Sequence, residues 1–324
     1  MTCLRVLIGI GFVCLFATVC VAPVMAAYPE RPIRLVVPVA PGGGNDIVAR
    51  LLGRKLTEAW GAQVVVDNRP GAATAIGADI VAKANPDGYT IMLTSASFAI
   101  NAALHPKLPF DPINDFAPIT LAARVPQVLL GNAALPVQSV PDLLKLAKAK
   151  PGQLNYGSAG TGSSTHLAME LFMDMTGISL THVPYKGTSP ALADLVAGQV
   201  QVIFDAIPPT VQFIKSGRVK ALAVAAPARF PSIPNVPTMA ESGLTEYRFS
   251  SWFVIMAPVR VPRAIIEQLN RELVRIIHEP QIKAQFVNLG VEPLGTTPEE
   301  AGSHVRKEIA VYKQVIQRHH IRAD

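Results

Sequence analysis

The chain has 324 residues, of which 50% are hydrophobic and 16% charged, with a formal net charge of +6. That length accommodates two domains of ordinary size. Its basic residues (Arg50, Arg54, Lys145, Lys148, Lys150, Arg271 and Arg275) are scattered over the polar faces of predicted helices, with no run interleaved with aromatics, which argues against nucleic acid as a partner.

Residues 1–26 read as a secretory leader. Arg5 supplies the positive start, 6–21 the apolar stretch, and Val24-Met25-Ala26 a small-residue cleavage site. The apolar run is short for a bilayer span and leads into Tyr28-Pro29 rather than a basic stop, so no stable membrane anchor is expected. Cys3, Cys14 and Cys20 all fall in this segment, and Val19 stands where a lipoprotein site wants a small residue. A mature chain without thiols excludes disulfides, thiol catalysis and cysteine-ligated metals.

The first predicted strand covers 33–39. It runs into Pro41-Gly42-Gly43-Gly44-Asn45-Asp46 and then an amphipathic helix with Ile47, Leu51, Leu52, Leu56 and Trp60 on one face, capped by Asn45 or Asp46. Further strands read at 63–67, 90–94, 119–121 and 127–131, and a helix follows Pro141. A strand at 154–156 opens a second loop, Gly157-Ser158-Ala159-Gly160-Thr161-Gly162-Ser163-Ser164, ahead of an amphipathic helix at 167–176. Strands at 180–184 and 200–204 flank a helix that begins at Ser189-Pro190 and ends at Gly198. After a strand at 221–225, the segment 227–237 reads as a proline-rich surface connection. A strand at 252–257, a helix after Pro262 and a capping box at Thr297-Pro298-Glu299-Glu300 complete the chain.

Short apolar strands alternating with helices predict an α/β fold with mainly parallel sheets flanked by helices. Passages between two lobes are expected near 122–126 and 226–243. They divide the mature chain into one domain of 27–122 with 229–324, and a second of 123–228. Such a fold holds its ligand in the cleft between lobes and closes about a hinge.

Each glycine-rich loop joins a strand to a helix N-terminus, an arrangement that aims backbone N–H groups and the positive end of a helix dipole at one spot. Two such cradles, one per half of the chain, point to a small anionic solute. Other chemistries fare worse. Ser163 and Ser164 lie near His166, with Asp205 as a third member, but the nucleophile elbow of a serine hydrolase is absent. His166 is expected to line the cleft or bond the backbone. There is no phosphate loop and no dinucleotide fingerprint. His105, His166, His182, His278 and His304 are too scattered for a metal site. Asp205, at a strand end, is read as facing the cleft or capping the next turn.

These residues carry a resemblance. Tyr28-Pro29, Arg31-Pro32-Ile33, Pro41-Gly42-Gly43-Gly44 with Asp46-Ile47, Asn68-Arg69-Pro70-Gly71-Ala72 and Pro86-Asp87-Gly88-Tyr89-Thr90 stand in order. They are followed by Ser158-Ala159-Gly160, His166-Leu167, His182-Val183-Pro184-Tyr185-Lys186-Gly187, Phe204-Asp205 and Pro237-Thr238. As a set they resemble the Bug family, periplasmic solute-binding proteins of tripartite tricarboxylate transporters. The resemblance implies a type II clamshell of two domains with two crossovers. It would hold a small carboxylate and deliver it to transporter membrane subunits, as a monomer needing no cofactor or metal. It places the grip on a ligand carboxylate in the loops 41–46 and 158–164. Ligand contacts are accordingly expected at Gly42, Gly43, Gly44, Asn45 and Asp46 and at Ser158, Ala159, Gly160, Thr161, Gly162, Ser163 and Ser164, and the candidate set is completed by Thr94, Ser95, His166 and Asp205. Phe98 and Ala206 stand where the family is commonly smaller or more polar, so a pocket they line would be less polar. Two rivals remain at this point: a ligand sensor for a signalling receptor, built on the same clamshell, and a secreted serine-type hydrolase.

Overall fold

The computed structural model describes residues 28–105, 107–247 and 249–318; the leader with its three cysteines and the tail pair His319-His320 lie outside the described residues. In chain order the first passage gives β1 (Ile33–Val37), α1 (Gly44–Trp60), β2 (Val64–Asn68), α2 (Ala75–Ala82), β3 (Thr90–Ser95), α3 (Ala96–Leu104) and β4 (Phe116–Val125). The second gives β5 (Gln127–Asn132), α4 (Val140–Ala149), β6 (Asn155–Ser158), α5 (Ser164–Thr176), β7 (Thr181–Pro184), α6 (Thr188–Ala197), β8 (Val202–Ala206), α7 (Ile207–Lys215) and β9 (Val219–Ala225). The last gives β10 (Ser251–Pro258), α8 (Arg263–His278), α9 (Pro280–Leu289), β11 (Glu292–Pro293) and α10 (Pro298–Arg318).

The strands form two sheets, ordered β11-β4-β10-β3-β1-β2 and β7-β6-β8-β5-β9. The expectation of mainly parallel sheets needs one refinement. β1, β2, β3 and β4 share a direction, but β10 inserts between β3 and β4 and runs against both. In the second sheet β5 inserts between β8 and β9 in the same reversed sense. The short edge strand β11 also runs against β4. Each of the two inserted strands, β10 and β5, is the first one laid down after the chain changes lobe. It arrives without a crossover helix, and parallel pairing requires one.

The chain crosses from the first sheet to the second over Pro126 alone, between Val125 and Gln127. The return segment keeps to the second sheet almost until β10. Thr238 bridges Val224, and Ile233 and Val236 are buried beside β5 and β8. Tyr247 donates its hydroxyl to the Ala168 carbonyl at 2.8 Å and stacks on Phe204.

Helix ends follow the sequence signals in several places. Ser163 caps α5 by accepting the His166 N–H at 3.2 Å. α6 stops at Gly198, whose φ of 81° lies in the left-handed region. The capping box at α10 forms in both directions: the Glu300 N–H reaches Thr297 Oγ1, and the Thr297 N–H reaches Glu300 Oε2. α1 differs from expectation. Its N-cap is Gly43, and neither Asn45 nor Asp46 caps it, because both already lie inside the first turn. Asp46 instead reaches back to accept the Gly42 N–H at 2.9 Å. Phe98 is equally far from its expected setting, packed in the core against Phe110 and Phe116. Among the described residues no helix is long and apolar enough to cross a membrane.

Candidate functional site

The two glycine-rich loops meet across the gap between the lobes. Ser189 donates its hydroxyl to the Pro41 carbonyl at 2.8 Å. Gly187 packs so closely on the first lobe that a Cβ there would sit 2.9 Å from Ala40 Cβ. Ser97, at the start of α3, accepts the Ser164 N–H at 2.9 Å from the start of α5.

Between these contacts lies a buried cavity of about 40 Å³. Its walls come from both lobes: Gly43, Gly44 and Asn45 of the first loop, Ser95 and Ser97, Gln127, Ala159, Ser164, Thr188, Asp205 and Ala206, and Ser251 and Phe253 of β10. α1 ends here with no side-chain cap, and its first-turn residues Gly44, Asn45 and Asp46 are buried. First-turn N–H groups have no acceptor inside their own helix, so α1 presents donors and a partial positive charge to the cavity.

Polar atoms without partners concentrate in and beside this space. Asn45 Nδ2, Thr94 Oγ1, Gln127 Oε1 and Asp205 Oδ2 are all buried with no hydrogen bond in the protein. Native interiors satisfy nearly all such atoms, so a cluster of four marks a place built for another molecule. Asp205 is 1% exposed. Burial pushes its carboxyl pKa up to about 7, against the opposing pull of the Ala206 N–H and the Thr188 hydroxyl.

The second loop is arranged differently. Most of its N–H groups are spent inside the protein: Ala159 on Thr165 Oγ1, Gly160 on Ser158 Oγ, Gly162 on His166 Nδ1, Ser163 on the Gly160 carbonyl and Ser164 on Ser97. Ser158 also meets His182 Nε2 at 2.7 Å, and the His182 ring stacks between Tyr156 and His166. This loop offers the cleft a wall already braced by its own bonds. The serines near His166 show no hydrolase geometry: Ser163 is a helix cap, and His166 Nδ1 accepts a backbone N–H.

A larger cavity of about 670 Å³ adjoins the small one and shares Val39, Ser97 and Ala159 with it. Its lining is largely apolar, with Pro38, Pro70, Ala72, Ala73, Ala75, Ile76, Ile80, Leu108 and Pro109, but includes Asp79, His105, Lys107 and Lys186, and it takes Gly160, Thr161 and Ser163 from the second loop. The loop bounding it holds Ala72, Ala73 and Thr74 at φ of 44°, 45° and 89°, a left-handed run that non-glycine residues rarely adopt. Asn101 clamps it, donating to the Ala72 and Ala73 carbonyls at 2.9 and 3.1 Å. The larger space has the volume, and Thr74 with its unpartnered buried hydroxyl lines it, but Asn45, Gln127 and Asp205, each with an unpartnered buried atom, and the start of α1 line the smaller, which we take as the centre of the site.

Of the residues expected to bind, Gly43, Gly44, Asn45, Ser95, Ala159, Ser164 and Asp205 line the small cavity. Gly160, Thr161 and Ser163 line the larger one, and Thr94 is buried with its hydroxyl unpartnered. Gly42, Asp46, Ser158, Gly162 and His166 act within the loops. Asp46 has its carboxylate pKa lowered: burial, which raises it, is outweighed by Arg50, the Gly42 N–H and Asn68. Arg50 thereby turns to Asp46 and Asn68. Ser97, Gln127, Thr188 and Ser251 were not expected. Their signal is faint, a lone polar residue beside an apolar run. Among the described residues, no three of His, Cys, Asp and Glu gather as a metal site would need.

Comparison with known proteins agrees with this architecture. A family profile described as the tripartite tricarboxylate transporter family receptor matches residues 48–321. BugT of Bordetella pertussis is 38% identical over 299 residues, covering 91% of this chain and 92% of that one. The solved structure of R. palustris Rpa4515 with adipate is 37% identical at a TM-score of 0.89, covering 91% and 99%. MatC from Rhodopseudomonas palustris with bound malate is 31% identical at a TM-score of 0.85, covering 89% and 100%. A two-lobed α/β fold, a cleft built around a helix terminus and a match along most of the chain converge: the protein belongs to the tripartite tricarboxylate transporter receptor family, the Bug proteins.

Proposed function

We propose that this protein is a periplasmic receptor that captures a small carboxylate between its lobes and delivers it to the membrane subunits of a tripartite transporter. The observation that carries this reading is the uncapped, buried N-terminus of α1 facing a cavity rimmed by unpartnered polar atoms from both lobes. Backbone N–H groups at a helix start suit a carboxylate, and burial strengthens each bond they make. The small cavity matches a carboxylate group, and the adjoining larger one takes the rest of the molecule. Relatives solved with adipate and malate support the same class of ligand. The hinge proposed for the two domains is Pro126 together with the return passage near 226–243. The chemistry is binding and closure.

A thermal-shift screen of the mature protein against adipate, malate and a panel of other carboxylates tests this. A ligand present at a hundred times its Kd raises apparent stability by about 2.7 kcal/mol. Stabilisation by one or more acids, confirmed by calorimetry, is the expected result. Stabilisation by neutral or cationic solutes with none by any acid overturns the proposal.

A further inference from the structure

An anion site that is lined by an acid poses a problem of charge. Asp205 is the single ionisable residue among those lining the small cavity. The other residues lining the small cavity bring no compensating charge, and the charged or titratable groups on the helices packed against β8, His166 and Glu170 of α5, Asp194 of α6 and Lys215 of α7 among them, do not line it. β5 contributes Gln127 and Val128, α1 contributes Gly44 and Asn45, the start of α6 contributes Thr188, and β10 contributes Ser251 and Phe253. Asp46, further into α1, is committed to Arg50 and the Gly42 N–H. A ligand carboxylate drawn to α1 therefore comes up against a second carboxyl with no cation between them. Two carboxylates in contact do not both stay ionised.

The two oxygens of Asp205 have different surroundings. Oδ1 accepts the Ala206 N–H at 2.7 Å, while Oδ2 is buried and makes no hydrogen bond, although the Thr188 hydroxyl stands close enough to act on the carboxyl. We infer that Asp205 keeps a proton on Oδ2 and donates it to the ligand's carboxylate, so that the ligand is held by α1 on one side and by an acid on the other. When the protein starts ionised, each ligand captured brings one proton from solvent onto Oδ2. An ammonium partner for Asp205 would have to sit against the positive end of α1, so the geometry favours an acid ligand. The raised pKa of this buried carboxyl, about 7, makes the protonated form available near neutrality.

The inference rests on the carboxylate reading above, and the test separates the two. Calorimetry with the acids that pass the screen, in buffers of different ionisation heat, reads proton uptake directly. At pH 8 the wild type should take up about one proton per ligand, and bind about tenfold more weakly than at pH 6. Asp205→Asn, whose amide still donates a hydrogen bond, should bind at both pH values with no uptake. Binding without uptake in the wild type at pH 8, or uptake that persists in Asp205→Asn, overturns the inference and leaves the carboxylate reading intact. No binding of any acid at either pH overturns both. Should Asp205→Asn fail to fold, the wild type is compared with His105→Ala, which removes the histidine lining the adjoining cavity: uptake that disappears with His105 overturns the inference, and uptake that persists supports it.

Discussion

Gly44→Ala separates the closing of the lobes from their folding. Gly44 opens α1, and a methyl there removes a helix-weakening glycine, a gain of up to about 1 kcal/mol for the first lobe. The same methyl would stand 3.2 Å from Ala206 Cβ across the cleft and 3.2 Å from a ring carbon of Phe253. Both approaches are tighter than ordinary carbon contacts of about 3.5–4 Å. The Phe253 ring belongs to the same lobe and can tilt, whereas Ala206 yields only if the lobes stand apart by a few tenths of an ångström. Forcing an overpacked contact costs about 1–3 kcal/mol. Charged to closure alone, the lower end of that range weakens ligand binding about fivefold, and Gly44→Val should weaken it further. Denaturant unfolding without ligand and calorimetry with an acid from the screen measure the two quantities. We expect unchanged or raised stability with weakened binding. Wild-type affinity in a folded Gly44→Ala protein would refute closure of the second lobe onto α1. Equal losses in both measurements would show that Gly44 serves packing within its own lobe.

Asp205 should make stability fall with rising pH. Its folded pKa of about 7 exceeds the ordinary 3.8, so the folded state binds the proton more tightly, and about 4 kcal/mol is lost between pH 4 and 7. Unfolding of wild type and Asp205→Asn across that window should diverge in this sense, and parallel curves would contradict it. Ser97→Ala removes the acceptor of the Ser164 N–H across the cleft, worth about 1 kcal/mol of the closed form. Hydrogen exchange at Ser164 should quicken about fivefold with little change in global stability; an unchanged rate would mean the bond does not hold the lobes together. Ala73→Gly should stabilise the protein by up to about 1 kcal/mol, since relief of a left-handed alanine outweighs the added freedom of the unfolded chain. A lower denaturation midpoint would show that this conformation carries no strain.

The elements most legible in the sequence were those whose residues speak for themselves. Ten strands stood out as short runs rich in Val, Ile and Leu, and both glycine-rich loops fell between strand and helix as read. β4 was underestimated because Pro118, Ala122 and Ala123 dilute its apolar pattern, although pairing with β10 carries it from Phe116 to Val125. α3 begins directly after β3 with no turn residue between them, so nothing punctuates the change of period. Most of the missed site residues have the same origin. Ser97 lies on that unannounced helix, and Gln127 and Ser251 open the two inserted strands. Their neighbours in the cleft come from the other lobe, and only the folded topology brings them together. In the second loop, composition shows which N–H groups exist and says nothing of how many are already spent on Ser158, Thr165 and His166.

The two inserted strands also govern when each lobe can be built. The first sheet receives β10, the strand that joins β3 to β4, only after the whole second lobe has been laid down. A chain emerging from its N-terminus would hold β1 to β4 with the facing edges of β3 and β4 bare, an arrangement open to pairing with other chains. Completion of the first lobe is therefore deferred until Ser251–Pro258 arrives, and α10 then packs onto α3 and β4. A truncation ahead of β10 should yield an aggregating fragment rather than a free-standing lobe. Neither half of this receptor is a separable module: one lobe is assembled from both ends of the chain around the other.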